Sequence, residues 1–415
     1  MIEATALSHP GVDTLIVRYC SDPSFQGTGV MQKKKTVLIY HNELLPLSET
    51  FIKEQILALE NWRAVLIGRR LLNQLPLDNL DVRIVGPERP TFQSRLLWKA
   101  SRMLRTTPSH IKRGLKAERA SLIHAHFGPD ALDAWPLARA LKLPLLVTLH
   151  GYDINIYREW WEAGNAGIRM RFYPRRLLQL ARQPRVSFIA VSEAIRRRAI
   201  DFGIPAEKIA VSYIGVDTSK FTPGDIPVEQ RPPHILFVGR LVEKKGCQYL
   251  IEAMSIVQKN VPAARLIVVG GGPLRQDLEL FARRLGVQAD FRGAQSSADV
   301  KRELDAARVL CLPSVTAENG DAEGFGLVLL EAQASGVPVV TSAQGGATEG
   351  IRDGVTGFSF AEGDVGVLAK MLINLLNDDI ILVQMAEKGP QYVSKGFNLT
   401  DCARQLEALY NTSSI

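Results

Sequence analysis

Short apolar runs alternate with longer helical patterns along most of this chain. The runs are continuous rather than alternately polar and apolar, which is typical of parallel strands covered on both faces. The strand candidates are Thr36–Tyr40, Ala64–Ile67, Leu122–Ala125, Leu145–Leu149, Ser187–Val191, Ile209–Ser212, Ile235–Val238, Arg265–Val269, Ala289–Arg292, Val309–Leu312 and Val337–Thr341. The helix candidates include Glu49–Leu59, Gly246–Gln258, Gly272–Leu285, Ala298–Ala307 and Gly326–Ala334. This alternation predicts an α/β protein with right-handed crossovers and parallel sheets.

Proline and glycine interrupt the alternation between residues 221 and 233. Phe221–Pro227 and Arg231–Pro233 have the composition of a linker, and 415 residues suffice for two doubly wound domains. We predict an irregular N-terminal extension at 1–34, a Rossmann-like domain at 35–220, a linker at 221–233, a second Rossmann-like domain at 234–388, and a C-terminal helix at 389–415 that packs back on the first domain. Met31, just before the first strand, is a natural alternative start. Ligands of such sheets bind beyond the carboxyl ends of the strands.

The composition excludes several classes of protein. An apolar fraction of 46% with 22% charged residues is that of a globular chain, not of a disordered or coiled-coil one. No apolar run approaches the ~18 residues of a membrane span, and the N-terminus carries no signal-peptide pattern. The cysteines occur singly, which argues against a zinc site or disulfide framework and fits a reducing compartment. They are Cys20, Cys247, Cys311 and Cys402. We expect a cytoplasmic globular protein.

Positive charge is unevenly distributed. Fifty Lys and Arg against 43 Asp and Glu give a net charge of +7, with a pI near 9.2. Two basic runs, Arg95–Arg119 and Arg169–Arg198, are opposed only by Glu118 and Glu193, respectively. Such runs suit phosphates, nucleic acid or an anionic membrane surface, but they also occur as solvated helix faces. Charge alone does not decide between these interpretations.

A glycine turn ahead of a helix candidate carries two carboxylates, Glu323 and Glu331. Gly324 and Gly326 allow backbone N–H groups to approach a ligand closely, and the helix start adds the positive end of its dipole. The main chain here could hold a diphosphate. Glu331 would then face the group attached to that diphosphate. A ribose diol suits the two acceptor oxygens of its carboxylate. Similar turns precede many helices, so a purely structural role stays open.

Cations follow the first strand of the second half. That strand ends at Gly239, Arg240 comes next, and Lys244 and Lys245 precede the following helix. Two cations at this sheet edge could neutralise a leaving diphosphate without a metal ion. Solvated surface charge is the alternative.

Histidines occur at or near two strand ends in the first half. His150 follows Leu145–Leu149, and Gly151 lets the chain turn immediately. A polar residue at such a tip faces the cleft between the domains, although a structural histidine is the alternative. His124 and His126 lack a third ligand for a metal ion, so we interpret them as structural or cleft-lining.

Together these motifs resemble those of the retaining glycosyltransferases of family 4, in the two-domain GT-B superfamily. The resemblance covers about Ser187–Gly363. It is carried by Ala190–Glu193, Ile214–Asp217, Gly239–Leu241, Val269–Pro273, Glu323–Gly326 with Glu331, Ala334–Val340 and Gly354–Phe358. In the N-terminal half only His150–Asp153 and Pro46–Phe51 match, and the latter is similar to colanic-acid-type enzymes that build bacterial exopolysaccharide. The resemblance implies two Rossmann-like domains facing each other across a cleft.

The resemblance also implies roles for the matching residues. Arg240 and Lys245 would bind the diphosphate of a nucleotide-sugar, and Glu331 would hold its ribose. Glu323, orienting the hydroxyls of the transferred sugar, and His150, beside the anomeric carbon, are the catalytic candidates. The donor-binding residues are Gly239, Arg240, Lys245, Gly324, Phe325, Gly326, Leu327 and Glu331. The family retains anomeric configuration and needs no metal ion or other cofactor.

Three loops differ from the family pattern. Leu45–Thr50 replaces a glycine-rich loop, so the side chains of Ser48 and Thr50 would take over its phosphate contacts. The acceptor-side candidates are Ser48, Glu49, Thr50 and Asp153. The loop Gly345–Glu349 lacks the commoner Gly-Pro-Glu sequence, so contacts to phosphate or uracil are not carried over to it. Thr316–Ala322 is expected to form a mobile flap over the donor.

The function indicated is transfer of a hexose from a nucleotide diphosphate sugar, with UDP favoured over GDP, to a saccharide acceptor. An acceptor carried on polyprenyl diphosphate would give the basic runs a role at the membrane surface. A sugar-nucleotide 2-epimerase of GT-B type and a nucleic-acid-binding protein are the alternatives. The basic runs lack the interleaved aromatics of RNA-binding modules, so we expect no nucleic acid partner. Val269–Pro273 is not a GxGxxG motif, which disfavours an NAD-dependent oxidoreductase.

Overall fold

Two separate sheets built mainly from parallel strands form the centre of the molecule. The computed structural model describes residues 4–5, 18–19, 34–44, 46, 49–72, 75, 79–85, 106–342 and 345–413. Ser48, Cys20 and the first part of the N-terminal basic run, residues 95–105, lie outside these ranges.

The N-terminal sheet has the strand order β1-β2-β7-β5-β3-β8-β9-β10-β11. The strands of this half are β1 Ala4–Thr5, β2 Arg18–Tyr19, β3 Lys35–Tyr40, β4 Glu43–Leu44, β5 Trp62–Gly68, β6 Arg70–Leu71, β7 Val82–Ile84, β8 Leu122–His126, β9 Leu145–Leu149, β10 Val186–Ala190 and β11 Ile209–Val211. The strands from β3 onward pair in parallel, whereas β1 and β2 add antiparallel pairs at one edge. The short β4 and β6 pair with each other outside this sheet. Two short strands therefore lie within the first 34 residues.

The C-terminal sheet has the order β14-β13-β12-β15-β16-β17, all parallel. Its strands are β12 His234–Val238, β13 Arg265–Val269, β14 Ala289–Gly293, β15 Val309–Leu312, β16 Val339–Ser342 and β17 Gly357–Phe360. This is the 3-2-1-4-5-6 order of a Rossmann fold, and β7-β5-β3-β8-β9-β10 repeats it in the first sheet. The predicted α/β fold with two doubly wound domains is confirmed.

Helices cover the sheets. They are α1 Thr50–Leu57, α2 Ser109–Lys116, α3 Gly128–Leu141, α4 Tyr152–Asn155, α5 Arg158–Glu162, α6 Tyr173–Ala181, α7 Glu193–Phe202, α8 Cys247–Asn260, α9 Arg275–Arg284, α10 Ser297–Ala306, α11 Leu327–Ala334, α12 Val365–Asn377, α13 Asp379–Gly396 and α14 Leu399–Ser413. None of the helices described is long and apolar enough to cross a membrane.

The chain passes between the domains at two adjacent places. Val216 donates a backbone hydrogen bond to Phe397 (2.8 Å), and Leu399 donates one to Val216 (3.0 Å). The final helix, α14, leaves this crossing and packs on the N-terminal sheet, where Tyr410 is fully buried. Because strand order reverses between β3 and β8 and between β12 and β15, the fold places two ligand-binding crevices at these positions.

Candidate functional site

The glycine turn of the C-terminal domain meets the tip of β9. A Cβ on Gly324 would lie 2.0 Å from the carbonyl oxygen of His150, so no larger residue fits there. Gly151 adopts φ +140°, a conformation that favours glycine, in the facing turn. Ser192 strengthens the contact by donating a hydrogen bond to the Gly324 carbonyl (2.8 Å). The structure thus brings the predicted Gly324 and His150 together.

Lys245 and Glu323 form an ion pair at the carboxyl edge of the second sheet. Lys245 lies over Gly239, and Ser314 donates a longer hydrogen bond to Glu323 (3.4 Å). Burial alone would raise the pKa of Glu323, but Lys245 and Lys244 outweigh it and hold that pKa below its usual range. The site therefore keeps an ionised carboxylate and an ammonium beside the β12–β15 crevice.

Arg240 and Glu331 occupy other positions around this pair. Arg240 is exposed after β12, and no carboxylate of the described residues forms an ion pair with it. Glu331 lies on α11, and burial, with the negative charge of Glu54 adding and Lys220 opposing, raises its pKa to about 7. An arginine fork and a carboxylate, each without a described ion-pair partner, can both serve a ligand.

The glycine turn continues directly into α11. Gly326 adopts φ +80°, a conformation that favours glycine, and Leu327 begins the helix. The ring of Phe325 is buried against Tyr213, with ring centres 5.3 Å apart. The side chain of Phe325 therefore packs in the interior, while the main chain of Gly324–Leu327 forms the turn proposed to hold phosphate.

His150 belongs to a group of aromatic rings at the tips of β8 and β9. Its Nε2 lies 3.0 Å from Nδ1 of His126, and its ring contacts those of Phe127 (4.4 Å between centres) and Phe51 (5.1 Å). Burial lowers the pKa of His150 and of His126 well below the usual value, so both are neutral at pH 7. His126 is thus the hydrogen-bond partner of His150.

His124 has a structural role. It is fully buried and bonds Tyr410 (2.8 Å) and Thr148 (2.7 Å) through its two ring nitrogens. Burial lowers its pKa to about 3. It therefore joins the last helix to the sheet as a neutral side chain.

Asp153 closes the turn after β9. Its carboxylate accepts backbone hydrogen bonds from Gly151 (2.9 Å), Gly128 (3.0 Å) and His150 (3.1 Å). Complete burial nevertheless raises its pKa to about 6. Every one of these contacts holds main chain, so Asp153 shapes the loop that carries His150.

Glu49 pairs with a histidine that the motifs did not indicate. His41, directly after β3, contacts Glu49 (2.7 Å) and Asp130 (2.5 Å) through its two nitrogens. Burial lowers the pKa of His41, but these carboxylates outweigh it and raise the pKa to about 9. Thr50 is the first residue of α1. The sequence did contain a signal for His41, because this residue directly follows a strand, as His150 does.

Glu349 connects the two domains and was also missed. Its carboxylate accepts hydrogen bonds from the backbone of Glu193 and Ala194 (both 2.7 Å), at the start of α7, and from Tyr213 (3.0 Å). The Gly345–Glu349 loop therefore caps a helix of the opposite domain.

The loop Thr316–Ala322 is fixed to both domains. Asn319 accepts a backbone hydrogen bond from Tyr157 (2.9 Å), Ala322 accepts one from the side chain of Asn155 (3.1 Å), and Asp321 pairs with Lys244 (3.0 Å). The segment that we expected to form a mobile flap is thus bonded to both domains in the structure, and its mobility stays a prediction. Within the described ranges, no group of three His, Cys, Asp or Glu side chains could hold a metal ion.

Two family models match this chain in succession. "Glycosyltransferase Family 4" matches residues 57–220, and "Glycosyl transferases group 1" matches residues 220–392. The chain is 32% identical over 298 residues to a putative colanic acid biosynthesis glycosyltransferase, WcaL, of Salmonella typhimurium, covering 71% of each chain. It is 30% identical over 309 residues to the amylovoran biosynthesis glycosyltransferase AmsK of Erwinia amylovora, covering 72% of each.

A solved structure shares the architecture. The Anabaena protein Alr3699/HepE, crystallised with UDP and glucose, superposes with a TM-score of 0.72 at 21% identity, covering 91% of this chain and 100% of that one. This likeness supports the predicted pair of facing domains.

Proposed function

This chain belongs to the group 1 and family 4 glycosyltransferases, as its motifs predicted, and on that premise we propose that it moves a hexose from a nucleotide diphosphate sugar to a saccharide with retention of configuration. The observation that carries the proposal is the buried Lys245–Glu323 pair, set at a sheet crevice and next to the loop of His150.

Different residues bind the diphosphate and the sugar of the donor. Arg240 and Lys245 bind the diphosphate and stabilise its charge as the bond from the anomeric carbon to phosphate oxygen breaks. The acceptor oxygen attacks from the same face, and the departing phosphate oxygen takes its proton. Glu323 orients the sugar hydroxyls, and His150 hydrogen-bonds the sugar. Because side chains supply the positive charge, dialysis against EDTA should leave turnover unchanged.

The donor and acceptor are proposed by analogy with similar proteins. The Anabaena structure was crystallised with UDP and glucose, and the WcaL and AmsK names refer to colanic acid and amylovoran biosynthesis. We therefore propose UDP as the favoured nucleotide and a growing exopolysaccharide as the acceptor, attached to polyprenyl diphosphate. The part of the second basic run that precedes α7, Arg169–Arg185, would hold the protein against an anionic membrane face. Co-sedimentation with anionic vesicles should weaken as salt rises, and indifference to lipid charge would contradict this.

A binding screen followed by product analysis tests the proposal. UDP, GDP, ADP and their sugars are compared by thermal shift, since only a bound ligand raises the melting temperature. We expect UDP and UDP-sugars to raise it, and Glu331→Ala to weaken the effect. The anomeric configuration of the product is then read by NMR. Failure of every nucleotide to bind would overturn the assignment, and an inverted product would overturn retention.

A further inference from the structure

A cavity of about 560 Å³ lies between the two domains and reaches Glu323. Helix α7 of the N-terminal domain forms one wall, and the loops at 316–323 and 345–348 form the opposite wall. Its volume is in the range of about 300–1,000 Å³ that small-molecule sites occupy. A sugar oriented by Glu323 would therefore have this space beside it.

Hydrogen bonds across the domain boundary hold the walls of the cavity in place. The 316–322 loop is bonded to Asn155 and Tyr157 across the domain boundary. Gly320 packs against the Tyr157 ring. A Cβ on Gly320 would lie 2.8 Å from a carbon of that ring. The cavity is thus already formed, which reduces the ordering cost of binding.

Two consecutive arginines of α7, Arg197 and Arg198, line this cavity. Arg198 donates a hydrogen bond to the carbonyl of Asn155 (3.0 Å) and lies over the Tyr157 ring at 5.8 Å. These contacts fix its guanidinium while leaving other N–H groups for a ligand. Arg197 is exposed and forms no ion pair with the residues described.

The acidic side chains that line the same cavity do not neutralise the positive charge of both arginines. Glu323 is paired with Lys245, which leaves Asp201, one turn farther along α7, as the remaining carboxylate of the lining. The amides at the start of α7 are already occupied by Glu349, so the positive character of the wall comes from the arginine side chains. An arginine fork matches the two oxygens of a carboxylate.

We propose that this cavity binds a carboxylate-bearing sugar, a hexuronate, with Arg197 and Arg198 contacting the carboxylate. The sugar is the one carried by the nucleotide, because the cavity adjoins the residue that orients the transferred sugar. The inference therefore rests on the proposed function. It narrows the nucleotide-sugar donor to one that carries a hexuronate.

The experiment compares UDP-glucuronate with UDP-glucose, and free D-glucuronate with D-glucose, by equilibrium titration. Arg197→Gln is the test variant, and Arg196→Gln is its matched control. Arg196 is the preceding residue of α7, lies 3.9 Å from Glu193 and does not line the cavity. We expect the wild type to bind each glucuronate at least about tenfold more tightly than its neutral counterpart. Arg197→Gln should remove that preference, and Arg196→Gln should keep it.

The outcomes separate this inference from the proposed function. If the wild type shows no preference for glucuronate in either pair, or if Arg197→Gln retains the preference, the hexuronate site is wrong even where UDP-glucose binds. If neither UDP-sugar binds while free glucuronate is preferred and requires Arg197, the proposed donor is wrong and the hexuronate site stands.

Discussion

Lys245 connects the stability of the site to its chemistry. Its partner Glu323 is only 11% exposed. Lys245→Met would leave that buried carboxylate without its ion-pair partner, so the free energy of unfolding should fall by about 3–5 kcal/mol. The transfer rate should fall about 10²-fold or more, because the phosphate charge loses a fixed cation. Urea unfolding and donor turnover measure the two effects.

A double variant separates these effects. Lys245→Met with Glu323→Gln removes both charges, so much of the lost unfolding free energy should return while turnover stays low. Lys244→Met is the matched control, since the ion pair of Lys244 is with Asp321 and Lys244 acts on Glu323 only through its nearby charge. Wild-type turnover in the Lys245→Met protein would show that the diphosphate binds elsewhere.

Glu331 should make both stability and donor binding depend on pH. Its pKa in the folded protein, about 7, lies above the usual 4.5, so the folded state holds the extra proton between these values. Stability therefore falls as pH rises through that window. Over this pH range the free energy of unfolding of the Glu331→Gln protein should fall by up to about 3 kcal/mol less than that of the wild type. Urea unfolding at several pH values measures it, and identical pH profiles for the two proteins would contradict the prediction.

The same proton should affect the ligand. In the proposed donor site a ribose hydroxyl donates to the ionised carboxylate of Glu331, so UDP should bind less tightly to the wild type as pH falls below about 7. The affinity of the Glu331→Gln protein for UDP should not show this pH dependence. Calorimetric titration with UDP at pH values on both sides of 7 measures the difference.

His150 and His124 are neighbours in the fold but should respond differently to substitution. His150→Ala should reduce turnover even in folded molecules, and it should also lower the unfolding free energy by about 1–3 kcal/mol, because the buried His126 loses its hydrogen-bond partner. His124→Ala leaves Tyr410 and Thr148 without buried partners, so it should destabilise the fold by about 1–3 kcal/mol while folded molecules stay active. Normal turnover in His150→Ala would remove that residue from the mechanism.

Sequence motifs indicated candidate site residues that lie together in one segment and missed residues whose contacts are with distant partners. Glu323, Gly324 and Gly326 are recognisable from local spacing. His41 depends on Asp130, 89 residues away, and Glu349 acts on a helix that begins 156 residues earlier. Nothing local to either residue encodes such pairings, because the fold creates them.

At the scale of elements, strand positions were predicted better than loop-to-helix junctions. The Ile235–Val238 prediction corresponds to β12, which begins one residue earlier. The helix predicted from Gly272 begins at Arg275, because Leu241 bonds the carbonyl of Gly271 (2.9 Å) and its own carbonyl accepts from Leu274 (3.2 Å). The segment that follows β12 thus holds the glycine stretch as a loop.

The cap that Glu349 provides to α7 should control how closely the domains associate. Glu349→Ala removes the acceptor of two backbone amides in the opposite domain. We expect faster hydrogen exchange at Glu193 and Ala194 and a larger radius of gyration in solution scattering. Asp364→Ala is the matched control, because Asp364 caps α12 within one domain. It should lower stability by about 1 kcal/mol and leave the radius unchanged.

If both variants enlarge the radius equally, the increase reflects general loosening rather than separation of the domains. If neither changes it, the remaining contacts between domains, including Ser192 with Gly324, are sufficient.

At the scale of the whole molecule, the last helix completes the first domain. Glu407 on α14 accepts hydrogen bonds from the backbone of Asn61 (2.7 Å) and Trp62 (3.0 Å), and Tyr410 packs against the Trp62 ring. Because α14 ends the described chain while β3 and β5 begin the parallel part of the sheet, the N-terminal core requires contacts between opposite ends of the sequence. Such contacts cost the most loop entropy to form.

Glu407→Ala should therefore weaken the N-terminal domain selectively. The buried N–H of Trp62 and the part-buried N–H of Asn61 lose their acceptor, so the free energy of unfolding should fall by about 1–3 kcal/mol. Arg404→Ala, an exposed position on the same helix, is the matched control and should change little. Hydrogen exchange resolved by strand should show faster exchange in β3, β5 and β8 with β12 and β13 unchanged. Equal acceleration in both sheets would mean that the domains unfold as one cooperative unit, with α14 stabilising the entire molecule.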